Sequence, residues 1–314
     1  MAGLLSGNAG HAFLYPASLP DFCAMKIAGF TIVRNAVLND YPVVEAIESI
    51  LPVVDEMLVS IGDSDDGTEE LIRSINSPKL RIVHSTWDPA LRKGGEVLAV
   101  ETNKAFRQIS PDADWAFYIQ ADEVVPEQYH AAIRAAAERH VANKRVEGLL
   151  FKYLHFYGTF DYVGDSRRWY GHEVRIIRND PTITSYKDAQ GFRRNGEKLR
   201  VKPADGFVYH YGWVKNPKQM LQKMKHINQF WHGDKPAEEQ PLATADVFNF
   251  DDFDSLEKFT GTHPSVMQRR ITRLNWQVDI DVTQKRFSLK NKVLYWIEKT
   301  TGKRLFEFKN YQLL

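Results

Sequence analysis

From Lys26 onward, short apolar runs alternate with amphipathic stretches along the chain. Four of these runs are rich in β-branched and aromatic residues and have polar residues at their ends, which predicts buried β-strands. These runs are KIAGFTIV, EMLVSI, LRIVHS and WAFYIQ. A stretch with apolar residues at helical spacing follows each run, and the four stretches are NDYPVVEAIESILP, DGTEELIRSI, GGEVLAVETNKAFRQI and PEQYHAAIRAAAERH. Four strand–helix units in succession predict an α/β fold with a mostly parallel sheet and helices on both faces.

The second half of the chain is less regular. EGLLFKYLHFYGTF and EVRIIRND predict two more strands, and a helix is predicted from about Pro217 to Trp231. Two basic helical segments follow a polar stretch near the end. We therefore expect three parts, which are a poorly ordered leader of residues 1–24, a core of residues 25–215 and a helical C-terminal extension of residues 216–314.

The composition narrows the classes of partner. Lys plus Arg number 41 and Asp plus Glu number 40, so the net charge of +1 gives no reason to expect a nucleic acid. The single cysteine, Cys23, excludes an intrachain disulfide and a thiolate zinc site, and it fits a reducing, cytoplasmic location. No apolar run reaches the roughly 18 residues that span a bilayer.

Polar loops follow the predicted strands, and parallel sheets bind ligands beyond the carboxyl ends of their strands. The loop GDSDDGT offers aspartates that suit the base and ribose of a nucleoside, although a simple turn with a helix cap explains it as well. In the loop RKGG, Arg92 and Lys93 stand at a predicted helix N-terminus, which suits a phosphate. A solvated basic loop is the equally open alternative.

Two acids, Asp122 and Glu123, close the fourth predicted strand. Hard oxygen ligands at this edge of a sheet suit Mg²⁺ or Mn²⁺, whereas Pro126 also indicates a helix start that such acids cap. His210 stands among aromatic residues, and Asp188 stands among basic and aromatic residues. Each is open to a structural or a catalytic interpretation, since a lone histidine is usually structural and a lone aspartate often pairs with a surface cation.

Taken together and in this order, these features resemble the family 2 glycosyltransferases of the GT-A fold, in a bacterial subgroup that builds glycans of the lipopolysaccharide type. The resemblance runs from about Lys26 to about Trp231 and rests on the elements TIVRNA, GDSDDGT, RKGGEVLAVETNKA, QADE and YHYGWVKNPKQM. It implies a Rossmann-like fold in which residues 25–125 form the nucleotide-binding half of the core and residues 126–215 form the acceptor half.

The resemblance also implies roles for individual residues. The nucleoside pocket and diphosphate site would be formed by Val33, Arg34, Asn35, Asp63, Asp65, Arg92 and Lys93. Asp122 would bind a divalent metal, Mg²⁺ or Mn²⁺, with His210 as second ligand. Asp188 falls where members of the family place the base that deprotonates the acceptor hydroxyl, and Glu173 is the next candidate.

This sequence departs from the family pattern at the metal and base sites. Gln120 replaces the first Asp of the Asp-x-Asp motif, and a neutral amide contributes no charge to a metal. Ile61 and Gly62 replace an acidic pair, so we expect base recognition to shift to Asp63 or Asp65. These departures leave the identity of the nucleotide open.

The divergent half is expected to hold the acceptor. Arg168, Trp169 and Tyr170 can stack on a sugar ring and pair with phosphate or carboxylate, or they simply cover a sheet edge. The basic C-terminal helices are expected either to touch an anionic membrane from the cytoplasmic side or to form a solvated face.

The resemblance as a whole implies an inverting transferase that moves a sugar from a UDP-, GDP- or dTDP-sugar to a glycan or lipid-linked acceptor in cell-envelope polysaccharide synthesis. Two alternatives stay open. A sugar nucleotidyltransferase uses a similar sheet and metal, but its Gly-rich opening is missing after the first strand. A non-catalytic binding module on the same fold remains because of Gln120.

Overall fold

The computed structural model describes residues 24–233, 235, 242 and 244–314. Its strands are β1 (Ile27–Val33), β2 (Glu56–Gly62), β3 (Leu80–Ser85), β4 (Trp115–Tyr118), β5 (Glu123–Val124), β6 (Gly148–Gly158), β7 (Tyr162–Gly164), β8 (His172–Arg178), β9 (Ile183–Tyr186), β10 (Gly191–Arg194), β11 (Glu197–Lys198), β12 (Arg200–Val214), β13 (Leu256–Lys258) and β14 (Gln312–Leu313). Its α-helices are α1 (Val43–Ile50), α2 (Thr68–Arg73), α3 (Glu96–Phe106), α4 (His130–His140), α5 (Pro217–His232), α6 (Gln268–Thr272) and α7 (Leu289–Thr301).

Most strands form one large mixed sheet in the order β13-β7-β6-β8-β4-β1-β2-β3. The strands β3, β2, β1 and β4 are parallel, as expected for successive strand–helix units. The sheet then turns antiparallel through β8, which pairs with both β4 and β6. Strand β12 runs parallel to β6, while β9, β10 and β11 form a small separate sheet.

Apolar side chains cover the sheet on both faces. One buried cluster takes in α1 and α4 through Ile47, Ile50 and Ile133, each fully buried. The other takes in α3 on the opposite face through Val97 and Phe106. The apolar faces of the helices therefore pack against both faces of the sheet and form a layered α/β core.

The predicted α/β, Rossmann-like fold is confirmed, with helices on both faces of a sheet whose first half is parallel. The predicted helix near residues 217–231 is α5. After α5 the described part of the C-terminal portion holds the helices α6 and α7 and the strands β13 and β14, the last of which pairs with β12. The predicted leader lies, except for its last residue, outside the described residues. No helix in the described ranges is long and apolar enough to cross a membrane.

Candidate functional site

A cleft of about 310 Å³ lies at the carboxyl ends of β1 and β4. Val33, Arg34 and Asn35, which end β1 and begin its loop, form one wall, and the residues after β4 form the floor. Helix α5 forms the opposite wall, with the side chains of Lys223, His226, Ile227, Phe230 and Trp231 on the lining. The spacing of the first four residues is i, i+3, i+4 and i+7, so they share one face of the helix.

Asp122 lies on the cleft floor and is paired with a lysine from α5. The Nζ atom of Lys223 donates to Asp122 Oδ2 at 3.1 Å and to the carbonyl oxygen of Gly212 at 2.8 Å. Burial alone would raise the pKa of Asp122, but the charge of Lys223 and its hydrogen bond hold that pKa well below its usual range. The carboxylate is therefore ionised and already faces one cation of the protein.

Two histidines lie side by side next to Asp122. His155 on β6 and His210 on β12 are paired neighbours in the parallel ladder, and their Nδ1 atoms are 3.4 Å apart. The Nε2 atom of His155 is 3.0 Å from the carbonyl oxygen of Tyr170, which can only accept, so this nitrogen carries the hydrogen. Burial lowers the pKa of His155 well below its ordinary value and also lowers that of His210, so both rings are neutral.

These hydrogen bonds assign the tautomers of both rings. Because Nε2–H of His155 donates to Tyr170, its Nδ1 is an acceptor, and Nδ1–H of His210 donates to it. The Nε2 atom of His210 then carries a lone pair, and it faces Asp122 Oδ1 at 3.6 Å. Two acceptors this close together define a position beside them for a cation, and His155 fixes the orientation of one of them.

The pair Asp122 and His210 fits a divalent metal that shares its coordination with a substrate. Within the described residues, no cluster of three or more His, Cys, Asp or Glu side chains could hold a metal. Two protein ligands suffice where the oxygens of a diphosphate and water complete the shell. A mixed nitrogen and oxygen pair suits a transition metal such as Mn²⁺ better than Mg²⁺, which prefers oxygen ligands alone.

Glu123 has a different role from its neighbour Asp122. It is fully buried and accepts two hydrogen bonds from Arg175, from Nε at 2.9 Å and from Nη2 at 2.7 Å. The hydroxyl of Tyr153 donates to the same carboxylate at 2.9 Å, and the backbone N–H of Gln120 donates to it at 3.1 Å. Neither acid caps the helix that follows, since the cap residue there is Pro126 and receives no side-chain bond. Glu123 therefore anchors the loop that presents Asp122.

Two aromatic side chains in contact with each other line one part of the cleft, which we call the aromatic slot. Trp87 and Phe230 line it with ring centroids 5.7 Å apart, and the guanidinium of Arg34 lies 5.6 Å from the Trp87 ring. The Nε atom of Arg34 donates to the carbonyl oxygen of Asp63 at 3.0 Å, and Asp63 Oδ2 accepts from the backbone N–H of Trp87 at 3.2 Å. A flat, polar-edged ring such as a nucleobase fits this chemistry.

Other residues expected at the nucleotide site lie further from the cleft. Asp63 and Asp65 are exposed, and neither side chain is on the cleft lining. Arg92 and Lys93 also lie off the lining, where the Nε of Arg92 donates to the carbonyl oxygen of Pro89 at 2.5 Å. Their roles in nucleotide binding stay predictions.

Asp188 is half-buried on the turn between β9 and β10, one residue before Ala189, which lines the cleft. It packs beside Gly95 and Trp231, because a Cβ atom built on Gly95 would meet both side chains at 2.7 Å. Asp188 therefore stands at the rim of the cleft against the end of α5, and its role as a base stays a prediction.

A second cavity of about 400 Å³ opens beside the histidine pair. Its lining includes the predicted acceptor residues Arg168, Trp169 and Tyr170, together with Tyr157, Trp213 and Phe248. We call this cavity the aromatic chamber. Arg168 is held at its edge by Asp252, with Nη2 3.0 Å from Oδ2. His155 and His210 also line the chamber, so it adjoins the candidate metal pair through His210.

Lys223 and His155 are central to the site and were not predicted from the sequence. Lys223 is 6% exposed and reaches Asp122, yet it sits in a helix expected to belong to the C-terminal extension. The helical spacing of Lys223 with His226 and Phe230 was a usable signal. His155 gave no local signal, because only the pairing of β6 with β12 brings it to His210.

Three solved structures are similar to parts of this chain. Staphylococcus aureus TarS is 15% identical over 65% of this chain and 39% of its own, with a TM-score of 0.36. The glucosyl-3-phosphoglycerate synthase of Mycobacterium tuberculosis, solved with Mn²⁺, UDP and phosphoglyceric acid, is 24% identical over 42% of this chain and 44% of its own, with a TM-score of 0.29. The 4-diphosphocytidyl-2C-methyl-D-erythritol synthase of Anaerococcus prevotii is 12% identical over 49% of this chain and 70% of its own, with a TM-score of 0.30.

The chain spans less than half the length of the first two structures, and all three TM-scores lie below 0.5, so none of the three bears on ligand, metal or reaction. No protein-family model matches the chain, and no curated protein is similar to it in sequence.

Proposed function

We propose that this chain is an inverting glycosyltransferase that takes a sugar from a nucleotide-diphosphate sugar and passes it to the hydroxyl of a glycan or lipid-linked acceptor. One observation carries the proposal. Asp122, His210 and Lys223 converge where a cleft with an aromatic slot meets the aromatic chamber. A donor in the cleft and an acceptor in the chamber would thus meet at one cluster of charged groups.

The donor would enter the cleft with its base in the slot beside Trp87 and Arg34. Its diphosphate would then lie near Asp122, where Lys223 supplies a buried positive charge without any change in the fold. Since Lys223 is already held by two hydrogen bonds, little side-chain freedom is lost when an anion binds. Arg34 at the cleft mouth adds a second cation.

Asp122 and His210 would hold the divalent metal, which when bound supplies Lewis-acid stabilisation of the departing diphosphate. The chain itself contributes the geometry of that site. His155 holds the lone pair of His210 toward Asp122, and Glu123 holds the loop that carries Asp122. Gly212 keeps the space beside both ligands open, because a Cβ there would lie 2.5 Å from Asp122 Oδ2.

The acceptor would occupy the aromatic chamber, where Trp169, Trp213 and Tyr157 offer flat faces to a sugar ring. Its hydroxyl oxygen would form the new bond to the anomeric carbon while the bond from that carbon to the diphosphate oxygen breaks. The hydroxyl proton would pass to a carboxylate. We propose Asp188 for this role, with Glu173 as the next candidate.

Glu173 is the alternative candidate for the base because of its surroundings. It is 2% exposed, and its Oε2 atom finds no hydrogen-bond partner within the described part of the chain. Burial raises its pKa to about 7, against the opposing charge of Arg175. With Tyr170 it lines a cavity next to the chamber. Asp188→Asn should abolish turnover and Glu173→Gln should not, whereas the reverse result assigns the base to Glu173.

Calorimetry with UDP-, GDP- and dTDP-sugars, with and without Mn²⁺, tests the proposed function. We expect one nucleotide sugar to bind, and to bind more tightly with Mn²⁺. No binding under any condition would refute a transferase and a nucleotidyltransferase together. Binding without transfer to any acceptor in an envelope glycan extract would favour the non-catalytic module. Release of pyrophosphate from a nucleoside triphosphate and a sugar phosphate would favour the nucleotidyltransferase.

A further inference from the structure

Helix α7 carries an apolar stripe that faces solvent. Leu289, Val293 and Trp296 are 86%, 58% and 66% exposed, and no residue of α7 is fully buried. Their spacing of i, i+4 and i+7 places the three side chains along one line of the helix. Apolar side chains this large and this exposed are uncommon on one face of a soluble protein, and a contiguous patch of them marks an interaction surface.

Two further exposed aromatic rings follow α7 in the sequence. Gly302 ends the helix in the left-handed conformation, with φ of 67°, and the chain turns back. Phe306 and Phe308 then follow with 88% and 73% of their side chains exposed. We call the stripe of Leu289, Val293 and Trp296 on α7 the C-terminal apolar face.

The exposed charged side chains of α7 beside this face have one sign. Lys290 and Lys292 are exposed and lie one on each side of the stripe by helical spacing. Lys299 lies on the same side as Lys292 and is also bonded to Glu257 at 3.1 Å. The only acid within α7, Glu298, points toward the protein, where it pairs with Arg167 at 3.2 Å. The exposed side of α7 is therefore apolar along its centre and basic along its edges.

We propose that the C-terminal apolar face docks on the surface of an anionic lipid bilayer. An amphipathic helix with Trp and Leu on one side, flanked by lysines, has the composition that lies in the interfacial plane of a membrane. Two signals act together, since apolar burial and lysine attraction to anionic headgroups both favour the bound state. A second copy of the chain is a poorer occupant, because it would set lysines against lysines.

Docking there would bring the acceptor side of the molecule to the bilayer. The hydroxyl of Tyr295 donates to Asp165 Oδ2 at 2.7 Å. Just after α7, the Nη2 atom of Arg304 donates to the carbonyl oxygens of Ser166 at 3.1 Å and Trp169 at 2.6 Å. Helix α7 and the chain after it thus support the loop that lines the aromatic chamber. The docking itself does not depend on the proposed function.

Vesicle flotation of the purified full chain tests the proposal. Flotation with mixed phosphatidylcholine and phosphatidylglycerol vesicles should be clear at low salt, weaker at high salt, and absent with phosphatidylcholine alone. Lys290→Gln with Lys292→Gln should lower the partition coefficient about 25-fold, at about fivefold for each lysine. Val293→Asp with Trp296→Glu should lower it by at least roughly tenfold. The matched control is Val247→Asp, which changes a valine that is 52% exposed on another segment and should leave flotation unchanged.

Each variant is checked for an unchanged unfolding midpoint, which is expected because the substituted side chains are exposed. Three results would overturn the proposal. One is failure of the intact chain to float with anionic vesicles. Another is equal flotation of the chain and its Val293→Asp/Trp296→Glu variant. The third is a dimer in light scattering that this variant dissociates, which would assign the face to a second copy of the chain.

Discussion

The substitution His155→Phe tests how the candidate metal site is positioned. A phenylalanine ring keeps the aromatic packing of His155 against Tyr170 and Trp169, whose ring centroids are 4.3 and 5.4 Å away. It removes the acceptor that takes the hydrogen from Nδ1 of His210 and the donor that satisfies the carbonyl of Tyr170. The His210 ring would then lose its fixed tautomer while its position in the strand is unchanged.

The expected loss of metal affinity follows from the length of the bond between the two imidazole rings. Loss of a partner that orients a metal ligand typically costs 10–100-fold in metal affinity, about 1.4–2.8 kcal/mol. Because the bond between the two rings is long, at 3.4 Å, we expect the lower end, roughly tenfold. The carbonyl of Tyr170, left without its partner, should also cost about 1–3 kcal/mol of unfolding free energy.

Manganese binding is measured by the electron paramagnetic resonance signal of the free ion, with the nucleoside diphosphate identified by calorimetry present at saturation. His155→Gln is the matched variant, because an amide can accept from His210 and donate to Tyr170, so it should bind Mn²⁺ almost as the wild type does. Urea unfolding confirms that both variants are folded. Wild-type Mn²⁺ affinity in His155→Phe would refute the assigned tautomers.

Three further predictions concern neighbouring residues. Glu123→Gln leaves Arg175 buried without a counter-charge and should lower the unfolding free energy by about 3–5 kcal/mol in urea, whereas a loss below about 1 kcal/mol would contradict the structural role of the pair. Gly212→Ala places a methyl group 2.5 Å from Asp122 Oδ2, so Mn²⁺ binding should fall while nucleotide binding without metal persists, and unchanged Mn²⁺ affinity would disagree. Burial lowers the pKa of Lys215 to about 7 in the folded chain, whereas the same lysine in the unfolded chain keeps its proton up to a pH of about 10. Between pH 7 and about 10 the unfolded chain therefore binds one more proton, and the free energy of unfolding should rise with pH. Lys215→Met should flatten that rise in urea titrations at several pH values, and an equally steep rise in the variant would argue against it.

The sequence was a good guide to the first half of the fold because each element there has its own pattern. The runs that form β1, β2, β3 and β4 are short and apolar. Each can be recognised as a strand from its own residues, without knowing which strand it pairs with. The sequence predicted for the same reason that Asp122 lies at the ligand edge of the sheet, and Asp122 does line the cleft at that edge.

The remaining site residues depend on pairings that no local pattern contains. Asp122 and Glu123 are adjacent acids that the sequence alone does not distinguish. Arg175, which the folded sheet brings close, identifies Glu123 as a buried anchor and leaves Asp122 as the candidate ligand. Lys223 was missed because its helix follows the core in sequence, although in space that helix forms a wall of the cleft. Gln120, the clearest departure from the family pattern, lines the cleft, and its Nε2 lies 3.4 Å from the carbonyl oxygen of Ala189.

The parallel pairing of β6 with β12 has a consequence for how reliably this site can form. His155 and His210 share one face of the pair, while Phe156 and Tyr211 stack on the other face in a buried apolar cluster, with ring centroids 4.6 Å apart. A slip of one residue would turn the imidazoles into that cluster and the aromatic rings out of it. The packing of Phe156 against Tyr211 in the core therefore also fixes the strand register that places His155 beside His210.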